Sequence, residues 1–109
     1  MTHTVYLADD AQRDLASIYR YVARHDGLEN AGRLLTLLEK SIAQLASLPK
    51  RGHYPSELER VGIHAYREIL CKPYRIIYDV VGGDVFVHCV LDGRRDLVDL
   101  LHQRLVRNY

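Results

Sequence analysis

The apolar positions change their period along the chain, and the changes mark the elements. His3 to Leu7 alternates weakly, with Val5 and Leu7 apolar, and predicts a short first strand. Ala11, Leu15, Ile18 and Val22 then recur at helical spacing on one face. Asp9 or Asp10 is expected to cap this helix, since a carboxylate there meets free amides and the positive end of the dipole. His25-Asp26-Gly27 ends it, with Gly27 suited to a positive φ. A second helix is predicted from Glu29 or Asn30 to Leu48, where Pro49 stops it. Its apolar stripe runs through Ala31, Leu34, Leu35, Leu38, Ile42, Leu45 and Leu48. The short link between the two runs predicts an antiparallel helical hairpin whose dry faces need a cover.

Residues 49–64 are irregular, punctuated by Pro49, Gly52, Pro55 and Gly62, with one helical turn expected around Glu57 to Arg60. From Ala65 the period becomes two. Tyr66 to Cys71, a turn at Lys72-Pro73, Tyr74 to Val81, a tight turn at Gly82-Gly83, and Val85 to Leu91 read as a three-stranded meander. After Asp92-Gly93-Arg94-Arg95, a short helix from about Asp96 carries Leu97, Leu100, Leu101 and Leu105 on one side. The expected fold class is therefore α+β. Two antiparallel helices pack on a small antiparallel sheet, in the order β-α-α-β-β-β with a short C-terminal helix, and residues 1–109 form one domain.

Composition changes this picture little. At 48% hydrophobic and 27% charged, the chain has the make-up of a globular protein. No apolar run approaches the roughly 18 to 20 residues of a membrane span, and Met1-Thr2-His3-Thr4 shows no secretory pattern, so a cytoplasmic location and no membrane partner are expected. Net charge is only +1, but residues 1–48 carry 5 Lys/Arg against 6 Asp/Glu, whereas residues 49–109 carry 10 against 8. The excess of arginine in and beside the late strands suits an anionic partner, although a mixed surface also serves solubility. Cys71 and Cys89 each fall inside a strand and form no CxxC, so they are read as buried free thiols. Neither a metal nor a cofactor is expected.

Five stretches in register resemble a known family. They are Ala11-x-x-Asp14-Leu15-x-x-Ile18-x-x-Tyr21, Leu45-x-x-Leu48-Pro49-x-x-Gly52, Tyr66-Arg67-Glu68-Ile69, Tyr74-Arg75-Ile76-Ile77-Tyr78 and Val90-Leu91-x-Gly93-Arg94-Arg95-Asp96. In that order they resemble the ParE/RelE superfamily of toxins from bacterial type II toxin–antitoxin modules, and the match covers nearly the whole chain. The resemblance implies the helical pair on a sheet, and a cognate antitoxin whose flexible segment wraps the toxin and folds on binding. It implies one of two activities. RelE-like members cut mRNA in the ribosomal A site, whereas ParE-like members poison DNA gyrase without hydrolytic chemistry.

RNA cleavage requires activation of a 2′-OH, neutralisation of the phosphorane and protonation of the leaving oxygen. For a RelE-like ribonuclease the resemblance points to Arg75 at mid-sheet, Arg94 or Arg95 at the following turn, and Lys50 with Arg51 before the sheet. The family's C-terminal tyrosine falls near Leu100 or Leu101 and is missing; His102 or Tyr109 are the substitutes within reach of the alignment. That departure favours a ParE-like gyrase inhibitor over the ribosome-dependent endonuclease, with a non-toxic relative as the third reading. Target contacts are then expected at Arg67, Arg75, Arg94 and Arg95, and antitoxin contacts at Tyr19, Leu34, Leu37, Leu38 and Arg75. Each has a structural alternative. Arg67 and Arg75 lie among Glu68 and Asp79 and could form cross-strand ion pairs; Arg94-Arg95 could be a solvated turn. Tyr66, Tyr74 and Tyr78 share parity with apolar neighbours, and His88, on the face of Phe86 and Val90, reads as a satisfied sheet histidine.

Overall fold

A computed structural model describes residues 2–106. The elements run β1 (Thr4–Leu7), α1 (Asp9–Asp26), α2 (Leu28–Ala43) with a 3₁₀ turn at Gln44–Ala46, α3 (Ser56–Glu59), β2 (Arg67–Cys71), β3 (Tyr74–Val81), β4 (Asp84–Asp92) and α4 (Val98–Leu101). A π-helical turn, His102–Val106, extends α4. The α+β class, the helical hairpin and the late meander are as the sequence predicts. One pairing differs from the expected antiparallel sheet. The strand order is β1-β4-β3-β2, and β1 joins β4 in parallel, from Thr4↔Asp84 to Leu7↔Val87. A parallel pair needs a long crossover, which the intervening hairpin and meander supply.

The first core lies between the helical hairpin and the sheet. Ala11 and Leu15 from α1, and Leu38 and Ile42 from α2, meet Ile69, Ile76, Tyr78, Val85, Val87 and Val90. A second core on the opposite face was not foreseen. Ile77, Cys89 and Leu91 point away from the hairpin and are covered by Leu58 of α3, Leu97, and Leu101 and Leu105 of the C-terminal helix. The near-continuous apolar run of β3 and β4 is the mark of strands buried on both faces.

A β-bulge sets the parity. Ile77 pairs with Cys89 but Tyr78 pairs with Val87, so His88 has no opposite residue. The extra residue puts His88 and Cys89 on the second face while Val90 returns to the first, correcting the expectation that His88 and Val90 share a face. The satisfied reading of His88 holds: its Nε2 lies 2.8 Å from Asp79 Oδ1. The two cysteines are free. Cys89 is buried in the second core, where burial pushes its thiol up to about 12. Cys71 is only half-buried and packs against the first core, so it is not the buried thiol expected.

Helix ends also differ in detail. Ala8, not an aspartate, caps α1, and no side chain bonds the free amides there; Asp9 and Asp10 sit in the first turn and act through the helix dipole. Gly27, at φ 92°, separates α1 from α2 as its sequence suggested. The 3₁₀ turn tightens the end of α2 and rotates Leu48 off the apolar stripe, leaving it exposed.

Gly52 marks a close approach. Its N–H donates to the Tyr78 hydroxyl at 3.1 Å, and a Cβ there would overlap the Glu68 carbonyl oxygen and come within 2.7 Å of that hydroxyl. Gly52→Ala is expected to destabilise the protein by about 1–3 kcal/mol. Gly32, inside α2 with nothing near its missing Cβ, gives the opposite sign: Gly32→Ala should stabilise by about 0.5–1 kcal/mol. Urea unfolding of the two variants checks both.

Candidate functional site: the arginines of the late strands

Arg75 leaves β3 on the second face and meets two carboxylates. Its Nε donates to Glu68 Oε1 at 2.8 Å and its Nη2 to Glu68 Oε2 at 2.7 Å. Nη1 and Nη2 also donate to the two oxygens of Glu57, at 2.6 and 2.7 Å. The side chain is 13% exposed, and Glu68 is buried. These hydrogen bonds raise the guanidinium's pKa and hold the Glu57 carboxyl down at about 2. Gly93 lets the Arg75 stem lie flat, since a Cβ there would sit 2.9 Å from the Pro73 carbonyl and 3.0 Å from Arg75 Cδ. Arg75 is therefore not the outward cation that a site for a target, an antitoxin or a scissile phosphate assumed. The ion-pair alternative describes it, with Glu57 added from α3 and with Asp79 engaged by His88 instead.

A second pair closes the edge of β4. Strand β1 accompanies β4 only to Val87, and beyond it Asp14 of α1 accepts the Val90 N–H at 2.9 Å. Arg104 donates to both Asp14 oxygens, at 2.9 and 3.3 Å, and to the His88 carbonyl at 3.2 Å. Side chains thus replace a neighbouring strand where the backbone would lie unpaired. Asp14 belongs to the α1 stretch that carried the family resemblance, but its role was not read from the sequence, and Arg104 was missed altogether.

The remaining cations separate into two places. Lys50, Arg51 and His53 are exposed on the loop before α3. Arg67 lies near them, half-buried, with Nη1 bonded to the Gly52 carbonyl at 2.9 Å and the guanidinium 4.9 Å from the Tyr54 ring. Arg94 and Arg95 occupy the turn after β4. Arg94 is 68% exposed although it chelates Asp92 at 2.8 and 3.0 Å, which lowers the Asp92 pKa. Arg95 is exposed and forms no ion pair among the described residues.

Of the two substitutes for the tyrosine, His102 is described, and it lies against Glu57, whose carboxylate holds Arg75. Leu101 is fully buried in the second core, and His102 Nε2 stands 3.4 Å from the Glu57 carbonyl. Tyr109 lies outside the described residues. Among the described residues, no cluster of three His, Cys, Asp or Glu side chains is placed to hold a metal ion. Of the residues expected on the antitoxin face, Leu38 is buried beneath the hairpin and cannot be touched. Leu34 is partly buried against the first core, Leu37 is exposed, and Tyr19 lines a shallow groove between α1 and α2 with Leu15, Leu35 and Glu39.

This architecture is that of known toxins. It superposes with a TM-score of 0.68 on a chain of the chromosomal ParDE toxin–antitoxin system from P. aeruginosa, covering 82% of this chain and 94% of the other at 16% identity. A free-state E. coli RelE with two arginines replaced by alanine superposes at 0.65, covering 99% and 98% at 15% identity. At such identities the likeness concerns the fold. Sequence carries the family: residues 5–97 match the family described as ParE toxin of type II toxin–antitoxin system, parDE. Toxin ParE3 of Caulobacter vibrioides is 30% identical over 91 residues, which span 84% of this chain and 87% of the relative. The chain belongs to the ParE toxin family of type II toxin–antitoxin systems.

The Arg75 clamp makes a pH prediction. A depressed Glu57 carboxyl contributes stability that is present above its usual value of 4.5 and is lost as pH falls from 4.5 to about 2. Glu57→Gln should flatten the loss of stability across that window in pH-dependent thermal melts. Arg75→Ala, which leaves two carboxylates unpaired beneath α3, should cost about 3–5 kcal/mol at neutral pH.

Proposed function

We propose that this chain inhibits bacterial growth as a ParE-type toxin that binds DNA gyrase and is neutralised by a cognate antitoxin. The reading draws on family membership for the toxin role and on one observation for the mode of action. Arg75 stands where a cleaving relative would need a free cation, yet its guanidinium is held by Glu57 and Glu68. A phosphorane oxygen would have to displace two bidentate carboxylates that are already close and partly desolvated. Leu101, buried in the second core, falls at or beside the position of the missing tyrosine. The chain is suited to holding a partner rather than breaking a bond.

The exposed cations Arg94 and Arg95, with Arg67 over Tyr54, offer the Arg and Tyr groups that anchor protein interfaces. Antitoxin binding is supported by the groove on the outside of the hairpin, where Tyr19 and Leu35 form a shallow apolar trough of about 340 Å³. A helix laid in such a trough would cover apolar surface that the hairpin leaves open.

Addition of the purified protein to a gyrase supercoiling reaction should block supercoiling or trap the cleavage complex, and the cognate antitoxin should restore activity. An unaffected reaction would sink the gyrase reading. Primer extension on translated message tests the endonuclease: codon-register cuts that vanish in a folded Lys50→Ala, Arg95→Ala variant would establish it instead. Unimpaired growth on induction without antitoxin would identify a member that has lost toxicity.

A further inference from the structure

We propose that a groove on the opposite side of α1, between that helix and the end of β4, receives an acidic segment of the antitoxin that inserts one apolar side chain. The proposal rests on the antitoxin reading above and adds a place and a chemistry to it.

The groove encloses about 430 Å³, within the range of sites that hold a ligand side chain or small molecule. Its apolar floor is Ile18, Tyr74 and Val90, Tyr21 rises exposed from one side, and Arg94 and Arg95 stand at the end. Two observations choose the occupant. The first is Tyr74. Only 7% of this residue is exposed, so its ring is committed to packing, yet it lines the groove and its hydroxyl has no hydrogen-bond partner among the described residues. The hydroxyl oxygen itself is not buried and opens on the groove, so an acceptor on a visiting segment can take the place of water there.

The second is charge. Two carboxylates border the groove, and both are engaged: Asp14 by Arg104 and Asp92 by Arg94. Arg95 adds a second positive charge beside Asp92, which Arg94 already holds, and forms no ion pair of its own among the described residues. An acceptor-rich, negatively charged segment therefore fits, with an oxygen on the Tyr74 hydroxyl, a carboxylate at Arg95 and an aliphatic side chain over Ile18. A basic or purely apolar segment would leave the Arg95 charge unmatched and the Tyr74 hydroxyl unbonded.

Titration of the full chain with the antitoxin encoded beside it provides the test, in three variants and one control. Tyr74→Phe removes a hydroxyl that bonds nothing within the chain. It should leave the melting temperature unchanged and raise Kd about threefold to tenfold. Arg95→Glu reverses the rim charge and should raise Kd about tenfold or more at low salt, with the difference shrinking as salt is added. Ser17→Trp, at an exposed α1 position on the groove wall, should block entry and weaken binding at least as much. Arg60→Glu, on the exposed end of α3, is the control for a general charge effect. The groove assignment is overturned if the three variants bind within about twofold of the parent, or if Arg60→Glu weakens binding as much as Arg95→Glu. Failure of the antitoxin to bind the parent chain is a separate outcome, and it removes the antitoxin reading and the groove together.

Discussion

A guanidinium that leaves a strand on a packed face has to be neutralised where it stands, and much of the irregular half of this protein is arranged around that need. Arg75 projects into the second core, where water is too scarce to solvate a cation well. Glu68 is its neighbour across the sheet; Glu57 has to be brought from elsewhere. The single turn of α3 does this, with Leu58 facing the second core one residue from the Glu57 carboxylate. The loop before α3 is fixed by an antiparallel bridge between His53 and Glu68, so the backbone of the residue that clamps Arg75 also anchors the segment that delivers the other clamp. Gly52 and Gly93, the glycines in two of the family stretches, lie against Glu68 and Arg75 respectively. These glycines are needed because backbone and stem come too close for a Cβ.

The same economy governs the edge of β4. A sheet whose outer strand is shorter than its neighbour leaves backbone groups without partners, and burial makes that costly. Asp14 bonds the N–H of Val90 that no strand reaches, and Arg104 bonds both Asp14 and the nearby His88 carbonyl. One residue comes from the first helix and the other from the C-terminal helix, so this edge joins the layers on opposite faces of the sheet. The bulge at His88 lies beside it and twists β4 where β1 ends. Removing Asp14 would therefore weaken the docking of both layers.

Helical periods and strand alternation were enough to read the hairpin, the meander and the class of fold. The second core was harder to see. Leu97, Leu101 and Leu105 form an evident apolar stripe, but a stripe does not say which face of a sheet it will cover, and a three-strand meander is compatible with either. The parity of Ile77, Cys89 and Leu91 would have answered the question had the bulge been visible. A one-residue shift in pairing has no signature in a single sequence when both flanking residues, Val87 and Cys89, are apolar. Arg75 shows the same limit for the site. A strand arginine beside Glu68 can be a ligand for a visitor or half of an ion pair, and the deciding residue, Glu57, lies 18 positions away on a single helical turn within an irregular stretch. Asp14 and Arg104 are 90 positions apart, beyond any local rule.

Sorting the arginines by what holds them gives the functional argument its force. Arg75 and Arg104 are internal cations, each matched to carboxylates and to backbone geometry. Arg67 is intermediate, bonded to one carbonyl and laid over a tyrosine ring. Arg94 and Arg95 face outward, Arg94 paired with half-buried Asp92 and Arg95 forming no ion pair among the described residues. A hydrolytic site would require internal cations that are free, because transition-state charge is stabilised best by groups that are desolvated and not already paired. Here the desolvated cations are paired and the free ones are solvated. Solvated arginines beside tyrosines contribute area, directional hydrogen bonds and electrostatic steering to association. The distribution of charge thus supports the proposed reading of a protein that works by being bound, with the proposed working surface on the turn after β4 and the adjoining flank of α1 rather than on the face where Arg75 is enclosed.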